Sequence, residues 1–468
     1  MSFTLTEKRP AAFRAPAPKP REVPLGPVGL LLALRQNPVE TWTRAHFEKP
    51  ILVGRRVLGE MAVVSEPAAI RRVLLDNVTN YRKDDLQRRV LSPGLGDGLL
   101  TAEGKQWRAQ RRTVAPMFTP RNVLSFAPQM ADAARASVQR LQRRRVGQIL
   151  DVSAEMARVT LEILERTIFT DGLGQGPEHF REAVTRYFDT AGRIDPLDLL
   201  GFPDFIPRIG RIRSRPTLRF FRDSVDAIIA TRRKNLADPN YQRPHDLLTL
   251  LLEAKDPETG VGLDEEELRA NIITFIGAGH ETTANALTWS LYLLSQSPEW
   301  RERLAAEADR ELAGGGAETL ADRLVETRAV IEEAMRLYPP AATLTREAVE
   351  PDMLAGRRIK KGMRVVVSPF VVHRHRLLWR DPDLFMPERF LGEAREKIDR
   401  FAYLPFGAGP RVCVGASFAL QEACIVLAHL MQAFRFEHVE THEVRPMQRV
   451  TLRPKDGMPM RVFVRAGT

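Results

Sequence analysis

The feature that most constrains the fold is an apolar stretch near the middle of the chain. Residues 263–298 read LDEEELRANIITFIGAGHETTANALTWSLYLLSQSP. Asp264, with Glu267 three residues later, predicts a helix start with a capping box, and Pro298 predicts the end. Such a helix would be roughly 50 Å long. Because its apolar residues occur nearly all round, it requires a large helical domain that buries it on every side.

The rest of the chain is mostly helical in pattern, with a few short strands. Residues 51–65 predict a hairpin, and 353–370 predict a second strand-rich patch in which IKKG is a turn. Six prolines within residues 1–27 predict an extended arm. We predict a mainly α fold with small β-sheets (α+β), with an arm at 1–27 and one large domain at 28–468. Predicted helices besides the central one cover 66–76, 103–115, 122–141, 154–169, 178–192, 218–236 and 416–434.

Net charge is the one compositional property that suggests a partner. The formal charge is +11, mostly from arginine, which alone is compatible with nucleic acid. The charges are spread along the chain, however, and the sequence has neither zinc-finger spacing nor a ribonucleoprotein-type aromatic motif. We therefore predict no nucleic-acid partner, and a solvated basic surface that can steer an acidic protein.

The two cysteines and the N-terminus indicate a compartment. On a helix, Cys413 and Cys424 would lie about 16 Å apart along the axis, beyond the ~7 Å Cα separation that a disulfide allows. The first residues contain no apolar signal segment, and the apolar run at 28–34 is far shorter than the ~20 residues of a membrane span. We expect a cytoplasmic protein without a membrane anchor.

The middle of the central helix is unusual. GAGHETT, residues 277–283, places two glycines, a histidine, a glutamate and two threonines in a buried helix. Each glycine costs up to about 1 kcal/mol relative to alanine, and a buried glutamate needs a partner or a role. Glycine lets a bulky group approach the helix closely. A helix–helix crossing with a satisfied polar patch explains the segment equally well, so both interpretations stay open at this point.

A second helical segment carries a charged pair. Glu333 and Arg336, within AVIEEAMRLYPP, lie three residues apart and share one helix face. Such a pair is worth little when exposed, but its neighbours are apolar. Arg389, between Pro387 and Phe390, is a second arginine that could join the pair in a buried network.

The stretch FGAGPRVCVG, residues 406–415, surrounds Cys413 with glycines and an arginine. Backbone N–H groups and the following helix predict a lowered pKa for this thiol, which favours a thiolate. Gly407 allows close approach of a flat cofactor, and Phe406 offers an aromatic shield. A thiolate metal ligand therefore fits. A nucleophilic cysteine would need a histidine base, and His429 lies about four helical turns away; a buried structural cysteine is the other alternative.

These segments together resemble the cytochrome P450 family. FGAGPRVCVG matches its haem-binding pattern F-x-x-G-x-R-x-C-x-G at every defined position, and GAGHETT resembles its oxygen-activating segment. EAMR at 333–336 resembles its E-x-x-R pair, PERF at 387–390 its third element, and WRAQR at 107–111 its W-x-x-x-R. The motifs occur in the family's order, and the resemblance covers nearly the whole chain except the arm.

The resemblance implies a role for each matching residue. Cys413 would be the metal ligand, as the axial thiolate of haem b, which favours O–O cleavage. Glu281 and Thr282 would be the acid–alcohol pair that supplies protons for oxygen reduction. The resemblance further implies that the haem propionates are held by Arg411, Trp107 and Arg111, joined by Arg346 and His373. The implied cofactor-binding residues are Trp107, Arg111, Ala278, Arg346, Phe406, Gly407, Arg411, Cys413 and Gly415.

The implied function is that of a haem-thiolate monooxygenase. It would hydroxylate or epoxidise an apolar small molecule with one oxygen atom of O2. Electrons would come from NAD(P)H through a ferredoxin, or a flavodoxin, with its reductase, and we expect a monomer. The donor would dock near Cys413 on arginines such as Arg108, Arg112 and Arg411. Segments 84–100, 193–207 and 341–344 would shape the pocket.

Several alternatives remain at this point. A peroxygenase, or a haem isomerase or dehydratase, would be an enzyme of the same family, although such members often lack the acid–alcohol pair. A haem-thiolate sensor would bind a ligand without turnover. Fatty acids, terpenoids, steroids and aromatics all stay open as substrates, although His280 resembles a residue of fatty-acid-hydroxylating members.

Overall fold

The structure is a computed structural model that describes residues 12–56, 59–170 and 208–465. The predicted mainly α fold with small β-sheets is confirmed. The predicted helix at 178–192 and the pocket segment at 193–207 lie outside the described residues. The α-helices are Pro27–Gln36, Pro67–Arg71, Asp85–Leu95, Gly104–Val114, Pro120–Ser125, Ala127–Gln142, Val152–Ile168, Ile209–Leu236, Leu247–Glu253, Glu265–Ser295, Pro298–Leu312, Leu320–Arg323, Val325–Leu337, Pro369–Val372, Gly392–Glu396 and Ala416–Ala433.

The central helix, Glu265–Ser295, forms as its ends predict. Asp264 is the N-cap and accepts a hydrogen bond from Glu267 N at 2.8 Å, while the Glu267 side chain accepts from Asp264 N, completing the capping box. The helix packs against Val152–Ile168, Val325–Leu337 and the cysteine helix, Ala416–Ala433. It is therefore enclosed by other helices, as an all-round apolar helix requires.

Four small sheets flank the helices in the part of the chain that the structure describes. The largest has the strand order β1-β2-β8-β5-β3, with β2 and β8 parallel and the other pairs antiparallel. The IKKG turn precedes β8, and Gly362 adopts φ +75° there. The strands are β1 Ile51–Arg56, β2 Gly59–Val64, β3 Tyr81–Lys83, β4 Ile149–Asp151, β5 Leu344–Ala348, β6 Asp352–Leu354, β7 Arg357–Ile359, β8 Arg364–Val367, β9 Phe434–His438, β10 Pro446–Gln448, β11 Leu452–Pro454 and β12 Pro459–Val464.

Two helices differ from their predicted bounds. The prediction of one helix over 122–141 is wrong, because Pro120–Ser125 ends at Phe126 and a new helix begins at Ala127. Pro128 has no N–H to donate to the preceding turn, and it sits in the first turn of the second helix, where none is needed. Ile209–Leu236 begins earlier than predicted and contains Pro216.

The described part of the N-terminal arm lies against the domain. Ala15 N donates to Asp383 O and Phe385 N donates to Phe13 O, both at 2.9 Å, so the arm pairs like a short strand. Tyr338 donates its hydroxyl to Pro16 O at 2.8 Å. These contacts attach the arm to the segment 382–385, which a buried ion pair also holds.

That ion pair is Glu333–Arg336, on the helix Val325–Leu337. Both side chains are fully buried, and two Arg336 nitrogens contact the two Glu333 oxygens at 2.6 and 2.7 Å. Arg336 also donates to His373 O and Pro382 O, and Arg389 lies 3.6 Å from Glu333. The expected buried network is confirmed.

The cysteine helix is apolar as well as buried. Among the described residues, this is the one helix that is both long enough and apolar enough to cross a membrane, by length and composition alone. However, 72% of it is buried inside the fold. Cys424 lies in it, 1% exposed, and both cysteines are free. The two cysteines are therefore not joined by a disulfide, as expected. The burial of Cys424 agrees with the structural role predicted for it.

Replacing Arg336 with alanine should leave the buried carboxylate of Glu333 without its charged partner. We expect Arg336→Ala to lower the free energy of unfolding by about 3–5 kcal/mol, measured by urea denaturation, and to reduce haem retention. Arg328→Ala, an exposed position on the same helix, is the control and should change stability by less than about 0.5 kcal/mol. Equal stability of the two variants would contradict the buried-network interpretation.

Candidate active site

A cavity of about 430 Å³ lies between the central helix, the cysteine loop and β5. It collects residues from distant parts of the sequence, including Cys413 on one side and Ala278 on the other. The predicted catalytic and cofactor-binding residues, His373 excepted, line it: Trp107, Arg111, Ala278, Glu281, Thr282, Arg346, Phe406, Gly407, Arg411, Cys413 and Gly415.

The cysteine loop is a tight turn that leads into a helix. Cys413 N donates to Phe406 O at 2.9 Å, which closes the loop. Gly407 and Gly409 have φ of +73° and +70°, which side chains other than glycine rarely adopt. A Cβ on Gly409 would lie 1.8 Å from Leu74 O, so only glycine fits there. The loop therefore presents Cys413 to the cavity on a fixed backbone.

Burial changes the acidity of this thiol in the direction opposite to the prediction. Removal from bulk water raises the pKa of Cys413, while the Gly415 N–H and the Arg111 charge oppose that rise. The lowered pKa predicted from the loop is therefore not found for the thiol without a metal. A bound metal cation deprotonates a coordinating thiol outright, so the metal itself would supply the thiolate.

One end of the cavity is crowded with cations. Arg411 pairs with Glu103 and lies 4.1 Å above the Trp107 ring. Burial lowers the pKa of Arg411 and of Arg111, and burial together with Arg411 lowers that of Arg346 to about 10. The Nε of Arg346 has no hydrogen-bond partner among the described residues. This end of the cavity thus favours an anionic group.

Lys83 belongs to the same cluster of cations, although the sequence analysis did not predict it as a site residue. It lies directly opposite Arg346 across β3 and β5, a like-charge pairing that is unfavourable by itself. Burial, then Arg411, lowers the pKa of Lys83 to about 7. Its Nζ donates to Leu100 O at 2.6 Å. A lone lysine before a loop carries no local sequence signal; only strand pairing brings it to the cavity.

The central helix presents small and polar residues to the cavity. Thr282 donates its hydroxyl to Ala278 O at 2.6 Å, the back-bond expected of a helical threonine. Glu281 Oε1 lies 3.6 Å from Nη1 of Arg453, which β11 supplies. Arg453 was not singled out in the sequence, because its strand follows the helix by more than 150 residues and only the tertiary fold joins them.

Of the two open interpretations of GAGHETT, the helix–helix crossing is found at Gly279, while the close approach of a bulky group stays a prediction at Gly277. A Cβ on Gly279 would lie 3.2 Å from Leu164 Cδ2, so Gly279 permits a close helix–helix crossing. Gly277 lines the cavity beside Ala278. His280 is buried against the helix Val152–Ile168, where its O accepts from Thr160, and burial lowers its pKa to about 4. The histidine thus serves the helix packing.

A second buried carboxyl lines the cavity, on the cysteine helix. Glu422 is 1% exposed, and its Oε1 has no hydrogen-bond partner among the described residues. Burial raises the pKa of Glu422 well above its usual range, and Thr283 opposes the rise. Burial therefore favours the neutral form of its side chain, and a glutamate in a helix gives no local signal of that burial.

Two predicted residues make contacts that the sequence did not indicate. His373 is buried beside Tyr403 and accepts a hydrogen bond from Leu404 N at 2.7 Å through Nε2, so it belongs to the Arg336 network and not to the cation cluster. Arg112 is bound to Asp256 at 2.6 Å and to Glu258 at 3.1 Å. Its charge is therefore largely neutralised within the protein.

Comparison with known proteins decides the family. The family model described as Cytochrome P450 matches residues 18–459. The chain belongs to the cytochrome P450 family. It is 34% identical over 391 residues to Cyclooctatin synthase of Streptomyces melanosporofaciens, covering 82% of this chain and 83% of that one. It is 31% identical over 425 residues to Cyclooctat-9-en-7-ol 5-monooxygenase of the same organism, covering 90% and 89%.

A third relative combines the same domain with an electron donor. Bifunctional cytochrome P450/NADPH--P450 reductase 2 of Bacillus subtilis (strain 168) is 33% identical over 370 residues, covering 77% of this chain and 34% of its own length. As a cytochrome P450, this protein is a haem-thiolate monooxygenase that uses haem b, O2 and electrons from NAD(P)H through redox partners.

The cavity fits haem b in its charge and its shape. Haem b carries two propionates, and the crowded cations at one end of the cavity, with an unpartnered Arg346 Nε, suit two carboxylates. Gly277 and Ala278 leave room for a flat ring beside the central helix. The thiol of Cys413 is a soft donor of the kind that haem iron accepts.

Proposed function

We propose that this cytochrome P450 oxidises an apolar small molecule held in the cavity beside the central helix. The observation that carries the proposal is the arrangement of that one cavity: Cys413, a cation cluster and the Glu281–Thr282 pair all line it. When bound, haem b would supply oxygen activation and transfer of one oxygen atom to a C–H bond or a double bond. The name of one Streptomyces relative, Cyclooctat-9-en-7-ol 5-monooxygenase, supports a substrate with a non-aromatic carbon skeleton.

We assign the cofactor to the residues that line the cavity. Cys413 would be the metal ligand, with Phe406, Gly407 and Gly415 shaping the loop around it. Arg111, Arg346, Arg411 and Trp107, with Lys83 added from the structure, would hold the two propionates. Pairing with carboxylates would offset the mutual repulsion of these buried cations. Ala278 would bound the ring on the opposite side.

We assign proton delivery to Glu281 and Thr282. The Thr282 hydroxyl bonds to Ala278 O, which fixes its oxygen on the cavity side of the helix. Glu281 is 12% exposed and borders both the cavity and Arg453. A carboxylate that reaches solvent-facing arginine on one side and a hydroxyl on the other can pass protons inward. Glu422 is a second buried acid in the same cavity.

The electron donor would be a ferredoxin, or a flavodoxin, with its reductase, and the protein a cytoplasmic monomer. The net charge of +11 supports an acidic carrier, and the free thiols of Cys413 and Cys424 fit a reducing compartment. Because Arg112 is bound to Asp256 and Arg411 to Glu103, exposed Arg108 would carry most of the docking charge. Light scattering of the haem-loaded protein checks the monomer.

We also propose that the chain consists of an arm at 1–27 and a domain at 28–468.

Relatives named for monooxygenase activity do not favour the peroxygenase, isomerase, dehydratase or sensor alternatives. Rapid turnover with peroxide alone, and none with O2 and electrons, would restore the first of them.

Cys413 can be tested by the spectrum of the reduced protein with carbon monoxide. We expect a strongly red-shifted Soret band, because the Cys413 thiolate would ligate the haem iron. Cys413→Ser should lose that band, while Cys424→Ser, at the buried structural cysteine, should keep it. No Soret band after reconstitution with haem, or an unchanged band in Cys413→Ser, would overturn the assignment.

Thr282 can be tested by the balance of products. With any compound that shifts the haem spectrum, Thr282→Ala should bind haem and compound normally, yet form roughly tenfold less product per NAD(P)H, because a positioned proton donor is lost. The missing electrons should appear as hydrogen peroxide. Thr288→Ala, at a buried threonine bonded to Ala284 O, is the control. Full coupling in Thr282→Ala would refute the role.

Arg108 can be tested by the rate of electron transfer. Arg108→Glu should slow reduction by an acidic ferredoxin by roughly tenfold at low ionic strength, and the difference should shrink as salt is added, because steering is screened. Stopped-flow trapping of the reduced haem with carbon monoxide measures the rate. Arg144→Glu, in the exposed loop after Ala127–Gln142, is the control. Equal rates in both variants would exclude this docking face.

A further inference from the structure

A second cavity lies near the other end of the cysteine helix. Its volume is about 410 Å³, and it shares no lining residue with the cavity that contains Cys413. The helix Ala127–Gln142, the end of Pro298–Leu312 with the loop that follows, and the end of the cysteine helix form it. His429, which lines it, lies about 20 Å along the axis from the first residue of the cysteine helix. A molecule bound in this second cavity would therefore be remote from Cys413.

His429 is the one buried polar side chain in the described lining of the second cavity. It is 7% exposed, and its Nδ1 lies 2.8 Å from Ile425 O. A carbonyl oxygen only accepts, so Nδ1 carries the ring proton and Nε2 carries a lone pair. Burial lowers the pKa of His429, the bond to Ile425 O opposes that change, and Arg135 lowers the pKa further. The neutral imidazole, with Nε2 as an acceptor, is therefore favoured at neutral pH.

The acceptor nitrogen faces the second cavity. Because Nδ1 turns toward the backbone of its own helix, the other side of the ring faces away from that helix, toward Arg135 and the cavity. Nε2 has no hydrogen-bond partner among the described residues. It is not closed off from solvent, however, as the unpartnered Nδ1 atoms of His280 and His373 are. An acceptor in this position is satisfied by a donor that enters the cavity.

A glycine-rich loop held by an arginine forms another part of the wall. Arg323 donates through Nη2 to Gly314 O at 2.7 Å and through Nε to Glu311 Oε2 at 3.0 Å. Gly315 has a φ of +84°, and a Cβ on it would lie 2.8 Å from Nη1 of Arg323. The loop therefore packs its bare backbone against Arg323, and this wall of the cavity has a fixed position.

The rest of the lining combines small apolar side chains with paired charges. Glu311 is bound to both Arg310 and Arg323, and Arg135 is paired with Asp132. The apolar lining residues are Ala131, Val138, Leu312, Ala317, Leu320 and Ala433. Because the carboxylate in the described lining is already paired, a cationic ligand finds no partner there. An apolar molecular body suits the remaining surface.

We propose that the second cavity is a ligand site for a small neutral molecule that has an apolar body and an O–H or N–H group, which donates to Nε2 of His429. A carboxylate does not suit this position, because it has no proton to donate to that nitrogen. Such a molecule would be an additional ligand, distinct from the molecule that is oxidised beside Cys413. The inference is independent of the proposed function, because the two cavities share no residue.

The test compares probes that differ at the donor group alone. 2-Naphthol and indole have the donor, whereas 2-methoxynaphthalene and 1-methylindole carry a methyl group in place of its hydrogen. The haem-loaded protein is first saturated with 1-phenylimidazole, which ligates haem iron and has no N–H to donate, and the haem spectrum verifies that it stays bound. Equilibrium dialysis then measures each probe. In at least one pair, the donor probe should bind about fivefold or more tightly than its methylated partner, the ratio that one neutral hydrogen bond gives.

Variants assign the preference to His429. His429→Phe keeps a ring but removes the acceptor, and should reduce the ratio to about one. Ala317→Trp, at a half-buried position on the loop, should fill the second cavity and abolish binding of both members of the pair. His438→Phe removes a half-buried imidazole that lines neither cavity, and should leave the ratio unchanged. All three variants should keep the carbon monoxide spectrum of the wild-type protein.

Several results would overturn the inference. They are a wild-type protein that binds no probe or shows no preference in either pair, and a His429→Phe variant that retains the preference. Should His429→Phe fail to fold, Ala317→Trp decides, because unchanged binding in that variant would place the probes elsewhere. Loss of the thiolate-type carbon monoxide spectrum in the wild-type protein would refute the monooxygenase assignment and leave the dialysis result for His429 valid.

Discussion

The buried pairing of Glu333 with Arg336 is the interaction on which the position of the cysteine depends. Arg336 donates to His373 O, and His373 in turn accepts from Leu404 N. Leu404 O accepts from Gly407 N at 3.1 Å, at the start of the loop that Cys413 N closes by donating to Phe406 O. Four successive hydrogen-bonded contacts therefore connect the ion pair to the cysteine. A buried ion pair is tolerated only when its charges are paired and hydrogen-bonded. The network that satisfies Glu333 and Arg336 therefore has a defined geometry, and the loop bonded to it is held in a defined position.

The cavity separates charge from apolar surface, and that separation follows from the elements that build it. β3 and β5 bring Lys83 and Arg346 face to face, while Arg411 arrives from the cysteine loop and Trp107 from the helix Gly104–Val114. Burial first, and then the nearby charge of Arg411, lowers the pKa of Lys83 to about 7 and that of Arg346 to about 10. A dianionic cofactor would offset both costs by pairing with these cations, so its binding would also stabilise this sheet edge.

The sequence predicted what depends on local chemistry and missed what depends on tertiary contact. Helix ends with a cap or a proline, such as Asp264, were predictable, as was the loop around Cys413, because glycines at positive φ are local requirements. Lys83, Arg453 and Glu422 were not, because each enters the cavity through the pairing of strands or helices far apart in sequence. The predicted direction of the pKa of Cys413 was wrong for a related reason. A helix terminus is visible in a sequence, whereas desolvation by the surrounding protein, which outweighs it, is a property of the assembled fold.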